Sequence, residues 1–373
     1  MERKFNTSAR KDLEFFISKN TFKKIFILAG PTSFKLSGLE SFFKIPFKEK
    51  KIKYYFKKKP IPEYSELIEV IKEIENFSPD LIIAAGGGSV IDYGKIAKVL
   101  QNEKHLDQKI INSEYKLKKS RFKLLAIPTT AGSGAEVTSN AVIYIDKIKY
   151  SIEGELVKPD FFFLIPDFID GAPNVIKSSA GFDAISQAME SLISKKSNDE
   201  SVGYAKRSLE ISLEYFLKFL KKPSYENTCA MSIAANLSGK AINISKTTAP
   251  HAVSYPFTSI FNINHGHAVA LTLNEFIKFN FKNIKDASCD FNLGDRFKIL
   301  FKLTKTKNIE DFDSYIKKIK CTAELETNFD KLGINIKSSM SRILSGINNQ
   351  RLLNNPIKID TEVIKRVLLS RAI

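Results

Sequence analysis

The 373-residue sequence contains no tryptophan, only three cysteines and only four histidines. The cysteines, at Cys229, Cys289 and Cys321, are too few and too widely spaced for a disulfide framework or a thiolate metal site. No apolar run approaches the ~18 residues of a membrane span, and the first residues lack the basic, apolar and small-residue zones of a signal peptide. We therefore expect a cytoplasmic protein with reduced cysteines and no membrane partner.

Acidic residues are outnumbered, because 58 Lys and Arg face 41 Asp and Glu and give a net charge of +17. Within residues 43–60, FKIPFKEKKIKYYFKKKP, lysine alternates with aromatic residues, as on some nucleic-acid-binding surfaces. No zinc-finger spacing, RNP-like motif or basic heptad accompanies this stretch, and lysine is abundant along the whole chain. A solvated surface without a nucleic-acid partner is the favoured interpretation, and the excess charge can steer an anionic substrate.

The first half of the sequence alternates apolar runs with helical patterns. The run at 23–30 predicts a strand followed by a turn at PTSFKLSG, and IKYYF predicts a second strand. Residues 64–77 have apolar positions at helical spacing, DLIIAAGGGS predicts a buried strand ending in glycines, and FKLLAIP predicts another. Repeated strand, turn and helix is typical of a parallel, doubly wound, Rossmann-like α/β sheet, which binds ligands at the carboxyl ends of its strands.

The second half has a different pattern. At this length two domains are expected, and beyond residue 174 the sequence predicts helices and no convincing strand. A boundary near PDFIDGAPNV follows from its prolines. We therefore predict an α/β nucleotide-binding domain over residues 1–173 and an all-α domain over residues 174–373.

The glycine motif GGGSVIDYGK starts at Gly86. Residues without side chains let backbone amides approach a pyrophosphate, and the following helix N-terminus adds partial positive charge, so Gly86, Gly87, Gly88 and Ser89 form a candidate anion cradle. The alternative is a tight turn in which Ser89 is the N-cap and Asp92 completes a capping box. The motif matches neither G-x-G-x-x-G nor a Walker loop, so both interpretations stay open.

Three of the four histidines lie between His251 and His267. Asp183 and Gln187, four residues apart, share one face of a predicted helix. A carboxylate and an amide oxygen could join His251 and His265 around a divalent transition ion that acts as a Lewis acid. The alternative is that each of these residues has an ordinary structural role.

Successive blocks of the sequence resemble the signature blocks of the iron-containing (group III) alcohol dehydrogenases, in the same order. They are GGGSVIDYGK, IPTTAGSGAEVT, KPDFFFLIPDFI, GFDAISQAMES, HAVSYPFTSIFNINHG and the terminal NNPIKIDTEVIKRVLLSRA. The resemblance implies a dehydroquinate synthase-like architecture, with an N-terminal nucleotide-binding α/β domain, a C-terminal all-helical domain, and cofactor and metal in the cleft between them.

The resemblance also implies roles for individual residues. Asp183, His251 and His265 match the family's metal ligands, whereas Gln187 stands where the family usually has histidine. Tyr255 replaces a histidine that is commonly linked to proton transfer, and His267 is a candidate substitute. Either Fe²⁺ or Zn²⁺ is compatible with this ligand set, because the related glycerol dehydrogenases hold zinc with one aspartate and two histidines.

The nucleotide is expected to be NADPH or NADH. Positions that match the family's cofactor contacts are Asp92, Thr129, Thr130, Ser133 and Lys149. Many NAD-preferring relatives have an aspartate just after the first strand, where this chain has Gly30. This difference favours NADPH.

Part of the pattern resembles the phosphonoacetaldehyde reductase branch, which forms 2-hydroxyethylphosphonate. Lys246 and Lys240 are candidate partners of a phosphonate, although both can be ordinary surface lysines. The alternatives are a glycerol or short-chain alcohol dehydrogenase, a lyase of the dehydroquinate synthase type, and a nucleic-acid-binding protein. The family resemblance suggests a homodimer.

Overall fold

The computed structural model describes residues 7–44, 50–101 and 103–370. The chain divides into two compact units, one formed by Met1–Pro173 and Pro223–Asn236 and the other by Asn174–Lys222 and Leu237–Ile373. The return of residues 223–236 to the first unit means that a single boundary after residue 173 does not describe the division. Residues 45–49 of the lysine-rich stretch lie outside the described residues.

The described residues contain seven strands, which form a five-stranded sheet and a hairpin. They are β1 (Lys24–Ala29), β2 (Lys51–Phe56), β3 (Leu81–Gly86), β4 (Lys123–Pro128), β5 (Asn140–Ile145), β6 (Ile148–Glu153) and β7 (Phe161–Phe162). The sheet is parallel with strand order β2-β1-β3-β4-β7, and β5 pairs with β6 in antiparallel orientation. The chain order reverses beside β1, so the carboxyl ends of β1 and β3 border the crevice where such sheets bind ligands.

Helices cover both faces of the sheet. They are α1 (Arg10–Lys19), α2 (Pro31–Leu36), α3 (Leu39–Phe43), α4 (Tyr64–Phe77), α5 (Gly88–Val99), α6 (Leu106–Ile111) and α7 (Asp167–Asp170). Phe26, Ile82 and Leu124 pack with α4, α5 and α6, whereas their neighbours Ile27 and Ile83 pack with α1, α2, α3 and α7. Strands buried on both faces need continuous apolar sequences, which is why β3 is apolar throughout.

One local expectation for this unit is wrong. Residues 31–36 were expected to form a turn, but they form the short helix α2. Pro31 occupies its first turn, where a missing amide hydrogen costs nothing. The helix then buries Phe34 against the sheet.

The described residues of the second unit form helices and connecting loops and contain no strand. Its helices are α8 (Asn174–Ile193), α9 (Asp199–Lys221), α10 (Tyr225–Ser245, whose residues up to Asn236 group with the first unit), α11 (Ala249–Phe261), α12 (His265–Ala270), α13 (Leu273–Lys282), α14 (Leu293–Thr304), α15 (Ile309–Thr322), α16 (Ile336–Ser345), α17 (Asn349–Leu353) and α18 (Thr361–Leu369). Residues 181–193 of α8 are all buried. A helix surrounded by protein can present polar side chains to neighbours in several directions.

The predicted fold class, a parallel α/β unit followed by helices, is confirmed. Within the described part of the chain, no helix has both the length and the apolar character required to cross a bilayer.

Candidate metal and nucleotide sites

The second unit brings Asp183 of α8, His251 of α11 and His265 of α12 together. Each offers one ligand atom, and these atoms all lie within 4.8 Å of one another. Nε2 of His251 is 3.1 Å from Oδ1 of Asp183, and the two imidazole centroids are 5.4 Å apart. Asp183 and His251 are buried, and His265 is half-buried. One ion can therefore contact all three side chains.

Gly266 allows His265 to reach this cluster. A Cβ atom on Gly266 would lie 1.9 Å from the Ser179 carbonyl oxygen and 2.8 Å from Cβ of Asp183. Only glycine lets α12 approach α8 so closely. The small residue next to the histidine thus sets the distance between two candidate ligands.

Glu190 is a functional candidate that the sequence analysis missed. It is completely buried, its carboxylate accepts a hydrogen bond from Nδ1 of His251, and it also accepts from the backbone N–H and hydroxyl of Thr248. It therefore caps α11 and fixes the His251 ring. Its position three residues after Gln187 and seven after Asp183 places all three on one helix face, which is the signal that could have revealed it.

The buried carboxylates of Glu190 and Asp183 both contact the His251 ring and favour its protonated form. Burial lowers the pKa of His251, but Glu190 and Asp183 outweigh burial and raise it to about 9. Burial raises the pKa of Asp183, but the His251 hydrogen bond and the charges of His265 and His251 bring it below its usual value. The site thus favours positive charge between these side chains.

The donor set fits a divalent transition ion. One carboxylate and two imidazoles form the 2-His-1-carboxylate set of many Fe²⁺ sites, and related three-ligand sets hold catalytic Zn²⁺. Glu190 supplies the second carboxylate that commonly orients a metal-binding histidine. These features support Fe²⁺ or Zn²⁺ at Asp183, His251 and His265.

Gln187 does not present its amide oxygen to this cluster. Its Nε2 donates to Oδ2 of Asp183 at 3.1 Å, and its Oε1 accepts from the Ser238 hydroxyl at 3.0 Å. A carboxylate can only accept, so the amide nitrogen must face Asp183. In this arrangement Gln187 orients Asp183, in contrast to the expected role as a fourth ligand.

The two candidate proton-transfer residues have different surroundings. The Tyr255 ring stacks on His265 with 5.6 Å between centroids and 5° between planes, and burial raises the pKa of Tyr255 to about 12 despite the charge of Arg351. Nε2 of His267 is 2.6 Å from the Glu326 carbonyl oxygen, to which it donates. That contact positions His267, and its proton relay stays a prediction.

The candidate substrate lysines lie on α10 and just after it. The ammonium of Lys240 lies 5.8 Å from the ring centroid of Tyr204, which gives it a cation–π contact. Lys246 is half-buried, with φ +58°, in the connection between α10 and α11. Only Lys246 belongs to the segment that leads directly to His251.

The first unit brings together two segments predicted to bind the nucleotide, the glycine motif at 86–89 and the contacts at 129–133. Gly86 and Pro128 are paired at the ends of β3 and β4, and the Thr129 N–H donates to the Gly86 carbonyl. A Cβ on Gly88 would lie 2.9 Å from the Ser133 hydroxyl, whereas one on Gly87 would meet nothing closer than Thr130 at 3.6 Å. The turn is therefore closely packed against Ser133 at Gly88, whereas Gly87 has room for another group beside it.

The cradle fits a pyrophosphate. Helix α5 begins at Gly88 with Gly87 as its N-cap, and no side chain in the described part of the chain caps it. The alternative interpretation, a capping box with Ser89 as the N-cap, is wrong, because Ser89 lies inside the first turn of α5. An uncapped helix N-terminus offers backbone amides to an anion. In addition, the buried Thr129 hydroxyl has no hydrogen-bond partner among the described residues.

Asp92 and Lys149 lie together but face protein. Asp92 is buried, and burial raises its pKa to about 6 against the effects of Lys95, a hydrogen bond from the Val142 N–H and Lys149. Lys95 is fully buried, and its ammonium donates to the Thr138 hydroxyl and the Asn140 carbonyl. This cluster attaches α5 to the β5–β6 hairpin.

Comparisons with known proteins agree with the fold and show the family. Residues 3–166 match the family model of the iron-containing alcohol dehydrogenases, and residues 177–372 match that of the C-terminal part of the Fe-containing alcohol dehydrogenase family. The expected cofactors, a nicotinamide nucleotide and a divalent metal such as Fe²⁺, are those of this family.

Individual relatives are more distant. The chain is 28% identical to a 4-hydroxybutyrate dehydrogenase of Clostridium kluyveri over 258 residues, which are 68% of each protein. It is 28% identical to the phosphonoacetaldehyde reductase of Streptomyces viridochromogenes over 218 residues, 56% of this chain and 55% of that protein. The sulfoacetaldehyde reductase of Bifidobacterium kashiwanohense, solved with NAD⁺, has the same fold with TM-score 0.83 at 22% identity over 100% of this chain and 99% of that chain. With family models matching nearly the whole sequence, the chain belongs to the iron-containing alcohol dehydrogenase family and is an oxidoreductase of the alcohol dehydrogenase type.

Proposed function

We propose that the protein reduces phosphonoacetaldehyde to 2-hydroxyethylphosphonate with NADPH and a divalent metal ion. The observation that carries the metal-dependent reaction is the cluster of Asp183, His251 and His265, whose ligand atoms lie within 4.8 Å of one another. The choice of an anionic aldehyde is supported by two relatives, one named for phosphonoacetaldehyde and one for 4-hydroxybutyrate. Each of these two compounds carries an anionic group at the end remote from the reacting carbon.

When bound, the reduced nicotinamide supplies a hydride and the divalent ion supplies a Lewis acid that polarises the carbonyl. Asp183, His251 and His265 hold the ion, while Glu190 and Gln187 fix the orientations of His251 and Asp183. Gly87 and the first turn of α5 hold the pyrophosphate. In the net reaction the carbonyl carbon gains the hydride, its oxygen gains a proton from water, and the nicotinamide is oxidised.

The preference for NADPH is supported by the surroundings of β1. Gly30 follows this strand, and the first turn of α2 contains no acidic residue that would repel a 2′-phosphate. The Lys57 N–H donates to the Ala29 carbonyl, so the lysines at 57–59 begin beside the end of β1. We expect kcat/KM to be higher with NADPH than with NADH.

Metal analysis of the purified protein, paired with His265→Ala, tests the metal-dependent reaction. We expect about one Fe²⁺ or Zn²⁺ per wild-type chain and loss of both metal and aldehyde reduction in the variant. Stoichiometric metal and full activity in His265→Ala would contradict the proposal. A kcat/KM for propanal equal to that for phosphonoacetaldehyde would instead favour a general short-chain alcohol dehydrogenase.

A further inference from the structure

Arg351 is a buried cation that the sequence analysis did not single out. It lies on the short helix α17 and is only 8% exposed. Arginine is rarely buried to this extent, because its guanidinium must keep hydrogen-bonding partners. Its position therefore demands an explanation.

One aromatic side chain connects Arg351 to the metal cluster. The guanidinium is hydrogen-bonded to the Tyr255 hydroxyl. The ring of Tyr255 stacks on His265 with 5° between the planes. Arg351 thus lies at the hydroxyl end of the tyrosine whose ring face covers a proposed metal ligand.

The backbone around Arg351 is held firmly against the segment that leads to His251. The side chain of Asn354 donates to the carbonyls of Ser245 and Thr247, at 2.8 and 2.9 Å. The Asn348 side chain caps α17 by accepting the Arg351 N–H at 3.0 Å. Lys246, between the two carbonyls that Asn354 binds, brings a second cationic residue to the same segment.

We propose that Arg351 recognises the anionic end of the aldehyde, whether phosphonate or carboxylate, while the carbonyl end is held at Asp183, His251 and His265. This inference rests on the proposed function. A guanidinium presents two parallel N–H donors to two oxygens of one anion, which a lone ammonium cannot do. Arg351 is thereby the specificity-determining residue that separates anionic from neutral aldehydes.

Steady-state kinetics of the metal-loaded enzyme with three aldehydes test the proposal. The aldehydes are phosphonoacetaldehyde, succinic semialdehyde (the aldehyde that corresponds to 4-hydroxybutyrate) and propanal, and each is assayed with NADPH. In Arg351→Met we expect kcat/KM for at least one anionic aldehyde to fall about 10- to 100-fold further than that for propanal. The anionic aldehyde with the larger relative fall identifies the group that the guanidinium binds.

Two further variants separate charge from folding. Arg351→Lys keeps a positive charge without the paired donors and should show a smaller relative fall than Arg351→Met. Arg366→Met removes an exposed arginine from α18 of the same unit and should leave the ratio of anionic to neutral kcat/KM unchanged. If Arg351→Met does not fold, competitive inhibition by methylphosphonate is compared between the wild type and Arg351→Lys. We expect methylphosphonate to inhibit the lysine variant more weakly.

The outcomes distinguish this inference from the proposed function. An unchanged ratio in Arg351→Met, or equal methylphosphonate inhibition of wild type and Arg351→Lys, overturns the role of Arg351 while the reductase proposal stands. A metal-loaded wild type that reduces none of the three aldehydes with NADPH or NADH overturns the proposed function itself, and the inference falls with it.

Discussion

The Glu190 carboxylate accepts a hydrogen bond from Nδ1 of His251, and Nε2 of the same ring faces Asp183. One imidazole is thus held between a carboxylate on the ligand side and a carboxylate behind it. The second carboxylate fixes the orientation of the ring and makes Nε2 a stronger ligand. Both carboxylates come from α8, so one helix sets the geometry of a ligand on α11.

Removal of Glu190 should weaken metal binding. We expect Glu190→Ala to raise the Zn²⁺ dissociation constant about 10- to 100-fold, measured by competition with a chromophoric chelator. Glu190→Gln should recover part of this loss, because an amide oxygen still accepts from Nδ1. Asp313→Ala removes another buried carboxylate of the same unit and is the matched control, with metal affinity unchanged. Wild-type affinity in Glu190→Ala would exclude the orienting role.

Substitution of Gln187 should distinguish an orienting residue from a ligand. In Gln187→Leu the Asp183 carboxylate loses the amide donor at 3.1 Å, so metal should bind with normal stoichiometry but about 10-fold more weakly. X-ray absorption of the Zn²⁺-loaded protein should give the same number of nitrogen and oxygen neighbours as in the wild type. Loss of one neighbour would show that the amide oxygen turns to the ion when it is present.

The α/β unit could be predicted largely from local sequence. Apolar runs gave the strands at 24–29, 81–86 and 123–128, and the apolar periodicity at 64–77 gave α4 with its observed bounds. The return of residues 223–236 to the first unit could not be predicted, because it depends on long-range contacts such as the 2.8 Å hydrogen bond from Asn236 to Glu136.

The candidate site divides in the same way. Residue chemistry and family resemblance selected Asp183, His251 and His265, which the structure brings together. Arg351 was missed because its burial and its partner Tyr255 are not visible in sequence spacing. Glu190 shares a helix face with Asp183 by its spacing, but only the structure shows that its carboxylate contacts His251. The role expected for Gln187 differs from the observed geometry because an amide has a donor end and an acceptor end, and a neighbouring carboxylate decides which of them faces it.

A methyl group on Gly266 should disrupt the metal cluster. Its Cβ would lie 1.9 Å from the Ser179 carbonyl oxygen, so Gly266→Ala must push α12 away from α8 and His265 away from Asp183. We expect a loss of stability of about 1–3 kcal/mol and loss of metal, measured by thermal unfolding and metal analysis. The added Cβ of Gly203→Ala on α9 meets no atom of the described residues within 4 Å, so this variant should stabilise the protein by up to about 1 kcal/mol. Equal stability of the two variants would contradict the close approach of α12 to α8.

The buried Asp92 carboxyl should make stability depend on pH. The pKa of Asp92 is about 6 in the folded protein and 3.8 in the unfolded chain, so the folded state binds the proton more tightly. The stability that this proton contributes is present at low pH and is lost as the pH rises through about 6. The amide of Asp92→Asn does not titrate, so its stability lacks this dependence on pH. Relative to wild type, the variant should therefore gain up to about 3 kcal/mol between pH 4 and pH 7, visible as a growing difference in Tm. A constant difference across this range would mean that Asp92 titrates normally.

Two neighbouring glycines should separate folding from nucleotide binding. A Cβ on Gly86 would lie 2.6 Å from Val90, so Gly86→Ala should lower the Tm. A Cβ on Gly87 meets only Thr130 at ordinary contact distance, and Gly87 has φ −73°, which alanine adopts without strain. Gly87→Ala should therefore unfold at the wild-type temperature but bind NADPH at least about tenfold more weakly, because its methyl group occupies the approach of the pyrophosphate to the α5 amides. Calorimetric titration measures this affinity, and a wild-type Kd in a stably folded Gly87→Ala would place the pyrophosphate elsewhere.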